Sequence, residues 1–145
     1  MLSAIVLGMH LHSIHLDPEP WQNNANVGIY ALVDGWTLGA YHNTIRRPTF
    51  YGGYTWGWES PGFQATAGIA TGYKTRTFIT PCECSEEHQR QGWGRNCYRY
   101  STQGTDSGIR PLLAVHYVFP EMGGISPRIT VSKNLLHFSI QKEWK

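Results

Sequence analysis

Between Asn26 and Tyr73 the chain repeats one pattern, a run of alternating side chains closed by a turn, with almost nothing in between. That repetition constrains the fold more than any other feature. Val27–Val33, Trp36–Asn43, Thr49–Trp58 and Phe63–Tyr73 each alternate in side-chain character. Asp34-Gly35, Arg46-Arg47-Pro48 and Ser60-Pro61-Gly62 part them with residues that favour turns. Runs this close in sequence pair as an up-and-down antiparallel sheet, and glycine spread along the strands lets such a sheet curl and close.

Further runs extend the count. The segment 3–16 alternates through His10-Leu11-His12-Ser13-Ile14-His15-Leu16 and is expected to be a first, well-buried strand, ended by Asp17-Pro18-Glu19-Pro20 because proline cannot donate ladder bonds. Pro111–Phe119, Pro127–Lys133 and Leu136–Trp144 supply three more. The expected fold is all-β: an antiparallel meander of about eight strands, the number at which a closed barrel is just filled by its own side chains. A single domain spans residues 1–145, with a cysteine-containing excursion at about 75–109. Within the strands, Phe50, Tyr54, Trp56 and Trp58 share one parity, which predicts an aromatic face that is either buried or interfacial.

Composition narrows the function. Charged residues are 15% of the chain and aromatic residues 13%, so burial must rest on rings, and a formal charge of +2 with scattered basic residues argues against nucleic acid. The apolar run Leu2–Met9 is preceded by no Lys or Arg and followed by no small-x-small pattern, which makes a cleaved leader the minority reading. It is also shorter than the ~20 residues a membrane helix needs.

Chemistry-bearing residues are sparse. His10 and His12 lie two apart on an expected strand, so both imidazoles should share a face. A third histidine, His42, His116 or His137, would complete an open metal or catalytic site. His10, His12 and His42 are therefore the catalytic candidates, against the plainer reading that they are ordinary polar side chains. A Ser139, His137, Asp34 combination can be written down, but no strained nucleophile turn accompanies it. No H-E-x-x-H, G-x-S-x-G, phosphate loop or dinucleotide fingerprint is present.

The excursion holds Cys82, Cys84, His88 and Cys97 in a C-x-C-x3-H-x8-C spacing. Zinc is the one cofactor this set suggests, although the spacing departs from the usual C-x2-4-C pair. A disulfide from Cys97 to Cys82 or Cys84, or three free thiols, are the competing readings. Whichever holds, the three cysteines are expected to lie close together, because a glycine-rich loop has little else to order it.

The runs Asn23–Tyr30, Gly35–Asn43, Arg47–Trp56 and Ala67–Tyr73 resemble a family of small uncharacterised proteins encoded by tailed phages and their proteobacterial hosts. The resemblance covers roughly residues 10–73 and the closing strand at 136–144. It implies a small β protein of phage or prophage origin and brings no catalytic residues. Three roles follow. The first is a phage-type accessory or virion-associated protein that binds a protein or host-envelope partner through Trp21, Trp36, Trp58 or Trp93. The second is an enzyme with a histidine site. The third is an outer-membrane eight-stranded barrel, suggested by the strand count and by the closing Ile140–Trp144, and ranked below binding because no signal peptide is expected at Leu2–Met9 and because Lys145 follows the last aromatic residue.

Overall fold

Alternation and turn chemistry assemble the described residues into ten β-strands: β1 Ile5–His15, β2 Gly28–Val33, β3 Trp36–His42, β4 Pro48–Trp56, β5 Gly62–Ala70, β6 Arg76–Cys82, β7 Cys97–Gln103, β8 Arg110–Val118, β9 Ser126–Ser132 and β10 Leu135–Trp144. They come from a computed structural model that describes residues 4–83 and 97–144. No helix occurs among the described residues. Eight strands form a closed antiparallel barrel in the order β1-β10-β9-β8-β5-β4-β3-β2, and β6 with β7 makes a separate two-stranded hairpin inserted between β5 and β8.

Both ends of the chain's barrel strands, Ile5 and Trp144, pair with each other. The barrel therefore starts and finishes at one rim. This rim also carries the Asp34-Gly35 turn, whose φ values of 49° and 82° are those of the tight primed hairpin that Asp-Gly favours. Its other two connections are short as well, residues 57–61 and 119–125. The opposite rim carries residues 16–27, the 43–47 turn, the β6–β7 excursion and the Lys133-Asn134 turn. Nearly all of the irregular chain thus lies at one end.

The side chains are distributed in the reverse of a water-soluble barrel. Inside sit Ser13, Thr37, Thr49, Thr55, Gln64, Thr66, His116, Arg128, His137 and Ser139, all buried. Outside stand Leu7, Met9, Ile29, Leu38, Phe50, Phe63, Ile69, Leu113, Val115 and Val131, all exposed, with Phe63 at 78% and Leu113 at 69%. Among the outward positions of the eight barrel strands, His12, His42 and Lys142 alone are charged or titratable apart from tyrosine. No carboxylate and no guanidinium occurs there.

This arrangement corrects one expectation and decides another. β1 is not a well-buried strand, since Ile5, Leu7, Met9, Leu11 and Ile14 are all exposed. The aromatic parity of β4 is the outward one: Thr49 and Thr55 are sealed inside while Phe50 and Trp56 face out. Gly8 and Gly39 have a common reason. A Cβ on Gly8 would lie 2.1 Å from the Tyr30 ring and one on Gly39 would lie 2.5 Å from the Tyr51 ring, so these glycines leave room for tyrosines that cross the lumen.

Candidate functional site

The lumen contains a connected polar network built by strand alternation. Thr37 on β3, Thr55 on β4 and Thr66 on β5 hydrogen-bond in series at 2.7 Å and 2.7 Å. Thr66 meets His116 Nε2 at 2.7 Å, and His116 Nδ1 meets the Thr130 hydroxyl at 2.8 Å. Five neighbouring strands are thereby joined from inside. Each hydroxyl can both donate and accept, so a row of threonines satisfies itself where water is excluded.

A second series starts on the other wall. His137 Nε2 pairs with His10 Nδ1 at 2.8 Å, and His10 Nε2 pairs with the Tyr51 hydroxyl at 2.8 Å. The His10 ring lies 5.0 Å from Tyr30, 5.7 Å from Tyr41 and 4.7 Å from His137, centre to centre. Tyr30 donates to Gln141 Oε1 at 2.8 Å, and the Arg128 guanidinium stands 5.0 Å from the Tyr30 ring centre. Around these groups is a chamber of about 90 Å³, lined by His10, Tyr51, His116, Arg128, His137 and hydroxyl or apolar neighbours.

Beyond the chamber, toward the long-loop rim, lies a wider vestibule of about 640 Å³. Tyr41, Leu112, Ser132 and Leu135 line both spaces, so the two are adjacent. The Tyr41 and Tyr73 hydroxyls bond at 2.6 Å at this boundary, and Arg110 stacks 5.0 Å over the Tyr73 ring. Burial holds the Tyr73 phenol above its ordinary pKa, with the bond to Tyr41 and the charge of Arg110 opposing. Toward the other rim the lumen is filled by Val6, Leu32 and Val118, each buried. The internal space opens at the loop end.

The β6–β7 hairpin docks on that end. Trp21 stacks on Phe78 at 4.7 Å, Arg99 bridges to Glu19 at 2.6 Å, and Arg76 donates to the Ile45 carbonyl at 3.0 Å. Cys82 and Cys97 are opposite one another in its register. Cys97 is disulfide-bonded, whereas Cys82 is a free, exposed thiol. A disulfide-bonded Cys97 offers no thiolate to zinc. Cys84 and His88, the other members of that set, lie outside the described residues, as does Trp93. No group of metal-ligating side chains is assembled among the described residues.

The catalytic candidates are separated. The register of β1 against β10 slips between His10 and His12, a β-bulge at Leu11, and the extra residue reverses the parity beyond it. His10 therefore lines the lumen while His12 is exposed outside, which corrects the expectation that the two share a face. His42 is outward at the loop-end tip of β3. The structure instead gathers His10 with His116 and His137. The Ser139, His137, Asp34 combination is not formed, since Asp34 is in the turn at the far rim and the Ser139 hydroxyl has no hydrogen-bond partner among the described residues.

The proposed binding tryptophans also part. Trp21 is at the loop end; Trp36 is at the short-turn end of β3, and Trp58 is in the 57–61 turn at that same rim. Trp36 belongs to an external belt of rings there. Tyr54 touches Trp36 at 5.5 Å and Trp56 at 5.3 Å, and Tyr117 touches Phe63 at 5.0 Å and Phe119 at 4.9 Å. These residues come from consecutive barrel strands β3, β4, β5 and β8, with Phe119 just past the end of β8. Trp144 adds a ring at the end of β10, with the Lys142 ammonium 5.2 Å above it.

Sequence reasoning missed Arg128, Tyr41 and Tyr51 as lumen residues. Their signal was parity: Arg128 shares it with Thr130 and Ser132, against Pro127, Ile129 and Val131. Comparison of the chain with protein families, with curated proteins and with solved structures found no match.

Proposed function

We propose that the protein is a membrane-inserted barrel of the outer-membrane kind, whose long-loop end serves in binding. The observation that carries this reading is the inversion of the side chains, with apolar residues covering the outside and hydroxyls, imidazoles and a guanidinium inside. An apolar band of this extent left in water would be an aggregation surface, and in a bilayer it is the required lipid face.

Other features support the same reading. A closed sheet leaves no unpaired edge, as a strand-built span requires. β1, β4, β5, β8 and β10 run 9 to 11 residues, the length that crosses a hydrocarbon core when tilted. The ring belt at one rim fits an aromatic girdle, and Lys142 beside Trp144 fits a snorkelling cation at the interface. Short turns at one rim and long connections at the other match the asymmetry of such barrels. The disulfide-bonded Cys97 on the long-loop side fits an oxidising compartment.

With Val6, Leu32 and Val118 filling one end, the barrel is an anchor and scaffold rather than an open pore. Recognition falls to the loop end, where cross-strand partners Ile79 and Tyr100 are both exposed on the β6–β7 hairpin and Tyr98 is exposed beside them. This keeps the expected binding role and places the scaffold in lipid.

The test is co-flotation of the refolded chain with phosphatidylcholine vesicles. Flotation that resists high salt and carbonate washing, with loop-end proteolysis but protected strands, is the expected result. A folded, monomeric protein that stays in the aqueous fraction without detergent would overturn the reading.

A further inference from the structure

Arg128 is 4% exposed, and among the described residues its guanidinium makes no hydrogen bond and no ion pair. It stands 5.0 Å from the centre of the Tyr30 ring and shares the chamber wall with His10, Tyr51, His116 and His137, none of which is an anion. The Arg128 Nε is buried without an acceptor, and so is the hydroxyl of Ser139, its direct register partner on β10. Among the described residues no carboxylate lines the chamber that Arg128 borders; besides Arg128 its polar wall consists of imidazoles, hydroxyls and the Asn26 amide. A guanidinium cannot shed its charge, and a buried charge without a counter-charge is among the costliest features a fold can hold.

We infer that the lumen chamber is a binding site for a small monovalent anion, held by Arg128 and reached through the loop-end vestibule. Size sets the class. About 90 Å³ equals roughly three water molecules at their liquid volume, enough for a halide, nitrate or small carboxylate and too little for a sugar or nucleotide. Charge sets the valence, since one guanidinium is the chamber's one fixed positive group. Geometry sets the route: the Val6, Leu32 and Val118 filling closes the short-turn end, and Tyr41, Leu112, Ser132 and Leu135 are the wall that the chamber shares with the vestibule, the side from which an anion would enter. Arg128, which lines the chamber, supplies a donor at Nε that the protein itself leaves unused. The assignment concerns the inside of the barrel and stands whether or not its outside meets lipid.

The experiment uses the full chain refolded in detergent micelles and titrated with sodium formate, ionic strength being held constant with a sulfonate buffer salt too bulky for the chamber. The expected result is a saturable rise in thermal midpoint. In Arg128→Met, which keeps the stem and removes the charge, the affinity should fall by roughly tenfold or more. A flat wild-type response, or an equal rise in both proteins, would overturn the site. Should Arg128→Met fail to fold, crystals of the wild type grown with bromide decide the matter. An anomalous peak within contact of Arg128 supports the site, and bromide found only on the outer surface refutes it.

Discussion

Thr55 and Trp56 are consecutive on β4 and face opposite environments: Thr55 is 0% exposed and bonded to two other threonine hydroxyls, while Trp56 is 54% exposed among rings on the outer wall. In a barrel with an apolar core their positions would be exchanged. The same inversion is repeated by Thr37 beside Leu38, Thr49 beside Phe50 and Thr66 beside Ala67.

If Trp56 is solvated by lipid or detergent, removing it leaves no cavity. Trp56→Ala should cost only about 0.5–1.5 kcal/mol in micelles, the worth of its contact with Tyr54, rather than the ~3–5 kcal/mol of a core tryptophan. Equilibrium urea unfolding in micelles measures the difference.

Thr55 is the opposite case. Thr55→Val keeps the shape and strands the hydroxyls of Thr37 and Thr66, so a loss of about 1–3 kcal/mol is expected, with Thr55→Ser closer to wild type. Urea titrations of the two variants side by side supply the check.

A cation placed on the outer wall should be poorly tolerated in a bilayer. Leu113→Arg, at an exposed position midway along β8, should lower folding stability in vesicles by about 2–4 kcal/mol. In a water-soluble barrel the same change at an exposed site would fall within about ±0.5 kcal/mol.

Gly8 and Tyr30 are predicted to be coupled. Gly8→Ala puts a methyl into the Tyr30 ring and should destabilise by about 1–3 kcal/mol. Combining it with Tyr30→Leu should cost less than the two single changes together, and a double-mutant cycle reads the coupling directly.

The meander itself was legible in the sequence because turn residues and period-2 alternation are local signals: Asp34-Gly35 forms the expected turn, and the expected runs became β2, β3, β4 and β5. Alternation, however, is symmetric. The series Phe50, Gly52, Tyr54, Trp56 against Thr49, Tyr51, Gly53, Thr55 defines two faces without saying which is enclosed, because a soluble barrel and a lipid-facing one use the same period. Closure decides it, and closure is a long-range pairing of Ile5 with Trp144. The pairing of His10 with His137 was hidden for a second reason. A one-residue bulge at Leu11 splits the parity of β1, so spacing alone joined His10 to His12 and missed the partner across the barrel seam.

The proposal that the outer wall faces lipid is tested most directly by fluorescence quenching in vesicles whose acyl chains carry bromine, using variants that retain one tryptophan each. Trp36, Trp56 and Trp144, on the outer wall at the short-turn rim, should be strongly quenched, and Trp21, stacked on Phe78 at the loop end, should not. Equal quenching of all four, or none in Trp36, Trp56 and Trp144 of a folded protein, would contradict it.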